Sequence, residues 1–479
     1  MQPLYILILI IAYFSVLIFI SYRTGKTANN TTFFKADNSS PWYLVAFGMI
    51  GASLSGVTFI SVPGWVASDN MSYFQMVLGY VLGYAVIGLV LLPLYYKLNL
   101  TSIYTYLEDR FGRYAYKTGA SFFLISRTIG AAFRLFLVAN VLQVILFDAY
   151  GVPFWVTVSI TILLIWLYTF KGGIKTIVWT DTLQTLFMLI AVGVCIYTVS
   201  DTMQIDNIFE YIANNKLSKT FFFEDVNAGN YFWKQFLSGA FIAVVMTGLD
   251  QDMMQKNLTC RNLKDAQKNM FWFTLVLVIV NFLFLALGVL LTDYAQANDI
   301  TAEKDQLFPV IATQGKLGFA TATFFLLGLI AAAYSSADSA LTSLTTSFSI
   351  DILEIDKRKD KQEQEIIRKK IHVLFSLILI ATILIFKYFI ADESVIANIF
   401  KAAGYTYGPL LGLYAFGLFS KKMVKDTLVP IICILAPILT FLISSYSNTY
   451  LKFDFGFFVL VLNGCLTYLG LVIITNNSK

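Results

Sequence analysis

Charged residues are scarce in this sequence. Of its 479 residues only 13% are charged, whereas 58% are hydrophobic, and the mean hydropathy is +0.71. A soluble protein carries about 25% charged residues, so this chain cannot cover a water-facing surface. The composition excludes an array of soluble domains and predicts an all-α protein that crosses the lipid bilayer many times.

Histidine and ordered cysteine patterns are also lacking. His372 is the one histidine, and the four cysteines are scattered without metal-site spacing or a disulfide framework. These absences argue against bis-histidine haem sites, histidine-rich metal sites and histidine proton relays. The net charge of +5 is spread along the chain, so nucleic acid is not expected as a partner. No obligate protein partner is indicated either.

Long apolar runs dominate what is present. Residues 1–20 contain no Lys or Arg, so they lack the basic segment of a signal peptide and are interpreted as a membrane helix. At about 20 residues per crossing, the sequence predicts thirteen spans, near residues 3–22, 42–68, 74–97, 117–147, 153–170, 177–200, 231–255, 270–292, 317–349, 371–390, 392–419, 427–446 and 454–475.

The basic residues are distributed unevenly between the two predicted sides of the membrane. Of 34 Lys and Arg residues, 24 lie in the loops that follow odd-numbered spans or in the C-terminal tail, and 7 lie on the other side. Basic loops stay in the cytoplasm. The sequence therefore predicts a protein of the inner or plasma membrane with its N-terminus outside and its C-terminus in the cytoplasm.

Two spans contain helix-breaking or polar clusters. The second reads FGMIGASLSGVTFISVPGW (47–65), and the seventh, five spans later, reads SGAFIAVVMTGLDQDMMQ (238–255). Such segments either unwind around a cavity or pack closely through small residues. Broken helices at matching positions are typical of transporters built from inverted five-helix repeats.

The ninth span combines hydroxyl groups with a carboxylate. In LIAAAYSSADSALTS (329–343), Ala332, Ser335, Ser336 and Ser339 share one helix face and Asp338 lies beside them. The sixth span carries a second acid, Asp181. Carboxylates are costly in a span and mark ion paths or proton relays, and a small hard cation prefers oxygen ligands. The pattern predicts a cation site, although the serines alone would also fit helix packing.

Two arginines fall within the fourth predicted span. Arg127 lies toward its end and is expected to extend its side chain to the membrane surface, whereas Arg134 lies at mid-depth. A guanidinium group at that depth must face protein, a carboxylate or a ligand. Structural pairing and contact with a transported solute both remain open for Arg134.

Four segments together resemble the sodium:solute symporter family. They are GGIKTIVWTDTLQ (172–184), GLDQDMMQ (248–255), AAAYSSADSAL (331–341) and YGPLLGLYAFGLFSKK (407–422). The resemblance implies the leucine-transporter fold. It divides the chain into an extra helix with an inner loop (1–41), a first five-helix repeat (42–200), an extracellular loop (201–230), a second inverted repeat (231–426) and two C-terminal helices (427–479).

The resemblance also implies sodium as the coupling ion, with one or two ions bound. The first site would use Gly51, where the family commonly has alanine, together with Leu54, Ala332, Ser335 and Ser336. A second site, for a cation or a proton, would use Asp181, Ser335, Asp338 and Ser339. Asp338 departs from the serine-type second site, so two carboxylates would share it.

A solute pocket is implied near mid-membrane. The candidate contacts are polar or charged residues of the core helices, namely Ser53, Ser55, Thr58, Gln75, Arg134, Asp250 and Lys401. Free amides at a helix break and Arg134 favour an anion, so we predict a carboxylate-bearing solute such as an acidic sugar, an organic acid or an amino acid. A neutral sugar or polyol is the close alternative, and Asp250 fits an inner gate equally well.

The expected function is secondary active transport, a sodium-coupled symport by alternating access, and not catalysis. A more distant alternative is an intramembrane enzyme that acts on lipid, since paired acids could serve one. The sequence argues against it because it shows no His–Asp or metal cluster and no sizeable soluble loop.

Overall fold

The structure, a computed structural model, describes residues 3–24, 30–170, 173–302, 304–314, 317–358, 360–389 and 395–475. Within these ranges it is built of helices, and β-structure is limited to the isolated bridges Ser40–Cys260 and Val424–Thr475. Helices are the expected form because each satisfies its own backbone hydrogen bonds where water is absent. The all-α prediction is confirmed.

The first half of the chain contains helices of very unequal length. In order they are α1 (Pro3–Thr24), α2 (Asn30–Lys35), α3 (Trp42–Ser53), α4 (Gly56–Asp69), α5 (Tyr73–Val86), α6 (Leu92–Lys97), α7 (Thr105–Arg110), α8 (Arg113–Leu142), α9 (Phe154–Thr169), α10 (Ile174–Thr202) and α11 (Ile208–Asn214). A π-helical turn, Ile87–Leu91, joins α5 to α6 without interrupting the rod.

The second half continues in the same way. Its helices are α12 (Phe232–Ala243), α13 (Gln251–Asn257), α14 (Leu263–Ala297), α15 (Leu307–Gln314), α16 (Gly318–Ser347), α17 (Lys361–Phe389), α18 (Val395–Thr406), α19 (Gly408–Phe419), α20 (Val429–Tyr446) and α21 (Val459–Ile473). Helix α10 packs against both α3 and α16, which places the predicted cation ligands on neighbouring helices.

The predicted interruption of the second span is confirmed. Helix α3 ends at Ser53, and Leu54 (φ −79°, ψ 66°) and Ser55 (φ −68°, ψ 174°) leave helical geometry before α4 begins. The glycines of this segment also serve close packing, because a Cβ on Gly56 would lie 2.7 Å from the Val138 side chain. Unwinding and small-residue packing therefore coexist here.

The seventh predicted span is broken as well. Residues Phe232–Gly248, which end in a π-helical turn, meet α13 at an angle of 68°. Leu249 and Asp250 form the bend. All seven residues of α13 are buried, so this short helix lies inside the bundle although its sequence is polar.

The predicted count of thirteen spans remains a prediction. The described residues contain nine helices long and apolar enough to cross a membrane, or ten if the bent pair is one span. Three further apolar helices, α3, α9 and α19, are shorter than a full crossing. The division into repeats with the boundaries given above also remains a prediction.

Candidate functional site: a mid-bundle cavity and two buried polar clusters

A cavity of about 80 Å³ lies at the break between α3 and α4. Ser53, Ser55 and Thr58, three of the predicted solute contacts, line it from the break. Arg134 lines it from α8. The fold therefore brings four of the seven predicted solute contacts to one cavity.

Arg134 is the charged residue of this cavity. Among the described residues no carboxylate lies within ion-pair distance of its guanidinium group, and its Nε has no hydrogen-bond partner. A buried cation without a counterion is costly. Structural pairing, one of the two possibilities left open by the sequence, is therefore not what the structure shows.

Arg127 behaves differently and corrects the expectation that its side chain reaches the membrane surface. It is buried and forms an ion pair with Asp252 of α13. The bend after Gly248 carries Asp252 into the bundle, and a carboxylate inside the protein is a better partner for a buried guanidinium group than a distant surface.

Three predicted solute residues do not line this cavity. The side-chain amide of Gln75 is bonded to the loop after α11 and to α12. Its Nε2 donates to the Asn230 carbonyl (2.9 Å) and to Gln235 Oε1 (3.1 Å). Its Oε1 accepts from the N–H of Phe222 (3.0 Å). Because these bonds occupy both ends of the amide, Gln75 fixes a loop rather than facing the cavity.

Asp250 and Lys401 lie elsewhere. The Asp250 carboxylate accepts the N–H of Asp252 (2.9 Å) at the start of α13 and the hydroxyl of Tyr407. This placement suits the inner-gate alternative. Lys401 is exposed and lines a second, wider cavity of about 530 Å³ together with Asp69. Direct solute contact by these residues stays a prediction.

The aromatic residues that line the cavity were not among the predicted solute contacts. Tyr73, Tyr80 and Tyr84 of α5 line it, as do Asn281 and Phe400. The hydroxyls of Tyr73 and Tyr80 lie 3.0 Å apart. The tyrosine spacing of seven and four residues places all three on one helix face, so this signal was present in the sequence.

The residues predicted for the first sodium site lie around the same break. Within the part of the chain that the structure describes, the carbonyl oxygens of Gly51 and Leu54 accept no hydrogen bond. Ser336 Oγ of α16 lies 3.4 Å from the carbonyl oxygens of both Ala52 and Ala332. Neutral carbonyl and hydroxyl oxygens therefore converge from α3 and α16, as a small hard cation requires.

Gly51 lies directly opposite the hydroxyl group of Thr185, with no room for a side chain between them. A Cβ at this position would lie 2.2 Å from Thr185 Oγ1 and 3.4 Å from Ser335 Oγ. Thr185 Oγ1 lies 2.8 Å from the carbonyl oxygens of both Phe47 and Asp181, so its one O–H can bond to either, and it links α10 to α3. The departure from alanine is thus accounted for by the threonine opposite.

The second break contrasts with the first because its carbonyl groups are already occupied. The hydroxyl of Tyr95 donates to the Gly248 carbonyl (2.8 Å), and that of Tyr104 donates to the Leu249 carbonyl (2.9 Å). Both tyrosines are fully buried. The carbonyl oxygens of this break thus already have donors from within the protein.

The residues predicted for the second cation site form a buried polar cluster between α10 and α16. Asp181 Oδ1 accepts from Ser335 Oγ (2.6 Å). Asp338 accepts the hydroxyl of Tyr168 (2.7 Å) and that of Ser339 (3.3 Å). On α16, Asp338 lies three residues, about one helical turn, after Ser335. All four predicted residues are therefore brought to one region of the bundle.

Lys256 completes this cluster and was not among the predicted site residues. Its Nζ lies 2.7 Å from Asp181 Oδ2, and its side chain is 1% exposed. In the sequence Lys256 directly follows the seventh predicted span, so it is expected in a cytoplasmic loop. The bend that turns α13 into the protein moves Lys256 from the expected loop to the interior.

Comparison with known proteins agrees with these features. The chain is 25% identical over 466 residues to the sodium/sialic acid symporter of Aliivibrio fischeri. This match covers 93% of this chain and 88% of that protein. It is 26% identical over 440 residues to the sodium/sialic acid symporter of Proteus mirabilis, with 86% and 85% covered.

The fold is also shared with a solved structure. A sodium-coupled sialic acid symporter in a substrate-bound, outward-open state superposes with a TM-score of 0.83 at 19% sequence identity, and 99% of each chain is covered. The sequence model of the sodium:solute symporter family matches residues 33–427. The chain is therefore an integral transporter of the plasma membrane that couples a small solute to sodium, not an enzyme, and it belongs to the sodium:solute symporter family.

Proposed function

We propose that this symporter carries a small carboxylate-bearing solute, with an acidic sugar as the leading candidate, in the cavity at the first break. The observation that carries the proposal is Arg134, whose guanidinium group lines the cavity without an internal counterion. Arginine offers paired donors that match a carboxylate. The relatives named for sialic acid support the same class of solute.

The pocket combines this cation with neutral hydrogen-bonding groups. Ser53, Ser55 and Thr58 offer hydroxyls, and Tyr73 adds an aromatic face. A sugar ring presents hydroxyls and apolar C–H faces to such a lining. The neutral sugar or polyol alternative uses the hydroxyls alone and leaves Arg134 unpaired.

A thermal-shift screen of solutes, with and without sodium, tests the solute class. An acidic sugar should stabilise the purified protein by mass action, and more strongly in sodium. Arg134→Met should abolish the shift, whereas Arg134→Lys, which keeps the charge but not the paired donors, should retain part of it. A neutral sugar that stabilises the protein and Arg134→Met equally would overturn the carboxylate proposal in favour of the alternative.

We also propose that sodium binds at the first break through Gly51, Leu54, Ala332, Ser335 and Ser336. Sodium entry supplies the driving force, since 100 mV contributes about 2.3 kcal/mol per charge. Uptake of the solute identified in the screen into proteoliposomes should require an inward sodium gradient. Accumulation that is equal with sodium and with choline would contradict this assignment.

The transport cycle we propose is alternating access with the Lys- and Arg-rich face in the cytoplasm, the N-terminus outside and the C-terminus inside. The buried bonds Arg127–Asp252 and Asp250–Tyr407 join α8 and the start of α19 to the segment at the second break, and they support a state in which the cytoplasmic path is closed. Labelling of single cysteines introduced into the loops after α6 and α11, in intact cells, tests this orientation. Only the loop after α11 should react.

A second cation or proton is proposed for the pair Asp181 and Asp338. Two carboxylates at one site either bind a cation firmly or share a proton. Asp338→Asn should change the dependence of uptake on sodium or on pH. If both dependences stay as they are in the unsubstituted protein, this second site does not exist.

A further inference from the structure

The buried ammonium group of Lys256 lies where the second cation site needs its positive charge. Its Nζ donates to Asp181 Oδ2 at 2.7 Å, while Ser335 donates to the other carboxylate oxygen. Both charged side chains are essentially inaccessible, at 1% and 0% exposure. One carboxylate of the proposed site therefore already holds a cation that belongs to the protein.

The charges of the cluster set how many further cations it can take. Asp181 and Asp338 bring two negative charges, and Lys256 brings one positive charge. No other Lys or Arg forms an ion pair with either acid among the described residues. A buried cluster is stable only near electrical neutrality, so it has room for one more monovalent cation and not for two.

Lys256 is held in place by the helix that carries it. On α13, Asp252 pairs with Arg127, and Gln255 Nε2 donates to the carbonyl of Phe34 (2.8 Å). Gln251 Nε2 donates to the carbonyl of Thr101 (2.9 Å). Because these bonds fix the helix from several sides, the ammonium group stays at Asp181 for as long as α13 stays docked.

We propose that Lys256 is a tethered cation that occupies the Asp181 half of the second cation site and thereby lowers by one the number of sodium ions that the transporter binds. The inference rests on the proposed second site at Asp181 and Asp338. A sodium ion and the ammonium group compete for the same carboxylate. Removing the ammonium group therefore opens a position for a free ion.

Equilibrium binding of radioactive sodium to the purified full-length protein, at saturating sodium and mildly alkaline pH, tests the proposal. Lys256→Met should bind one more sodium ion per chain than the unsubstituted protein. Lys256→Arg keeps the charge and should bind the same number. A structural role limited to fastening α13 would leave the number unchanged in Lys256→Met, and that result would overturn the proposal.

If Lys256→Met does not fold, two further variants can be compared, in the second of which the lost positive charge is balanced by a lost negative charge. Asp338→Asn removes one acid, and Asp338→Asn with Lys256→Met removes one acid and the ammonium group. The double variant should bind one more sodium ion than Asp338→Asn alone, and equal numbers would overturn the tethered cation. Failure of the unsubstituted protein to bind any sodium would instead overturn the sodium site of the proposed function, so the two failures are distinguishable.

Discussion

The two broken helices of this transporter differ in what happens to the carbonyl groups that each break releases. At the second break, Tyr95 and Tyr104 donate to the carbonyl oxygens of Gly248 and Leu249. At the first break, the carbonyl oxygens of Gly51 and Leu54 receive no hydrogen bond from the described residues. A helix break by itself therefore does not make an ion site.

This difference assigns separate tasks to the two breaks. Unsatisfied buried carbonyls are costly, so the first break gains most from a cation that takes their place as partner. The second break is saturated by the protein and instead positions α13, whose Asp252 and Lys256 pair across the bundle. The first break is suited to bind a cation, and the second to position α13.

The largest expected effect comes from removing a hydroxyl ligand at the first break. Ser336→Ala should raise the sodium concentration for half-maximal uptake by about 10- to 100-fold, because a polar contact to a charged group contributes about 1.5–3 kcal/mol. The sodium dependence of proteoliposome uptake measures it. Ser343→Ala is the matched control, since this hydroxyl only returns to the Ala340 carbonyl of the same helix (3.0 Å). Equal shifts in both variants would contradict the ligand assignment.

A smaller effect is expected from crowding the same break. Gly51→Ala places a Cβ 2.2 Å from Thr185 Oγ1, and such overpacking costs about 1–3 kcal/mol. Sodium affinity should fall by up to about 10-fold. Adding Thr185→Ala should recover part of the loss, because it removes the clashing atom. Gly193→Ala on α10, the helix of Thr185, where a Cβ meets open space, should have no such effect. A loss that Thr185→Ala does not relieve would show that the clash is not its cause.

The second break should respond in stability rather than in sodium affinity. Tyr104→Phe leaves the Leu249 carbonyl without its donor and should lower the unfolding free energy by about 1–3 kcal/mol. Thermal unfolding in detergent reports this loss, and the half-saturating sodium concentration should stay within about twofold of its original value. If Tyr104→Phe raised the half-saturating sodium concentration as much as Ser336→Ala, the proposed difference between the two breaks would be contradicted.

The smallest effect is expected outside both breaks, at Glu354 between α16 and α17. Hydrogen bonds from Lys117 (2.5 Å) and Lys357 (3.0 Å) hold the pKa of its carboxyl group at about 2, below its usual 4.5. A depressed pKa adds stability that is complete above about pH 4.5 and disappears as the pH falls toward 2. Glu354→Gln should cost about 1 kcal/mol or less at neutral pH, as followed by thermal unfolding. A cost that grows on acidification would contradict this sign.

Much of the first break could be predicted from the sequence, because glycine, serine and proline inside an apolar run are informative in themselves. The partners across the bundle could not. Arg127 and Lys256 were expected near the membrane surface. A 68° bend turns α13 into the protein, where its Asp252 meets Arg127 and its Lys256 meets Asp181. Gln75 was expected in the pocket, but a loop more than 140 residues away in sequence binds its amide. Residue type and periodicity do not contain such long-range geometry.

Sodium binding at the first break is tested most directly by a density map of the purified transporter at high resolution in sodium, compared with one in choline. We predict a sodium-dependent peak at the first break, within coordination distance of the Gly51 and Leu54 carbonyl oxygens and the Ser336 hydroxyl. We expect no such peak at Gly248 and Leu249. A sodium-dependent peak at the second break, or none at the first under conditions where sodium stabilises the protein, would contradict this prediction.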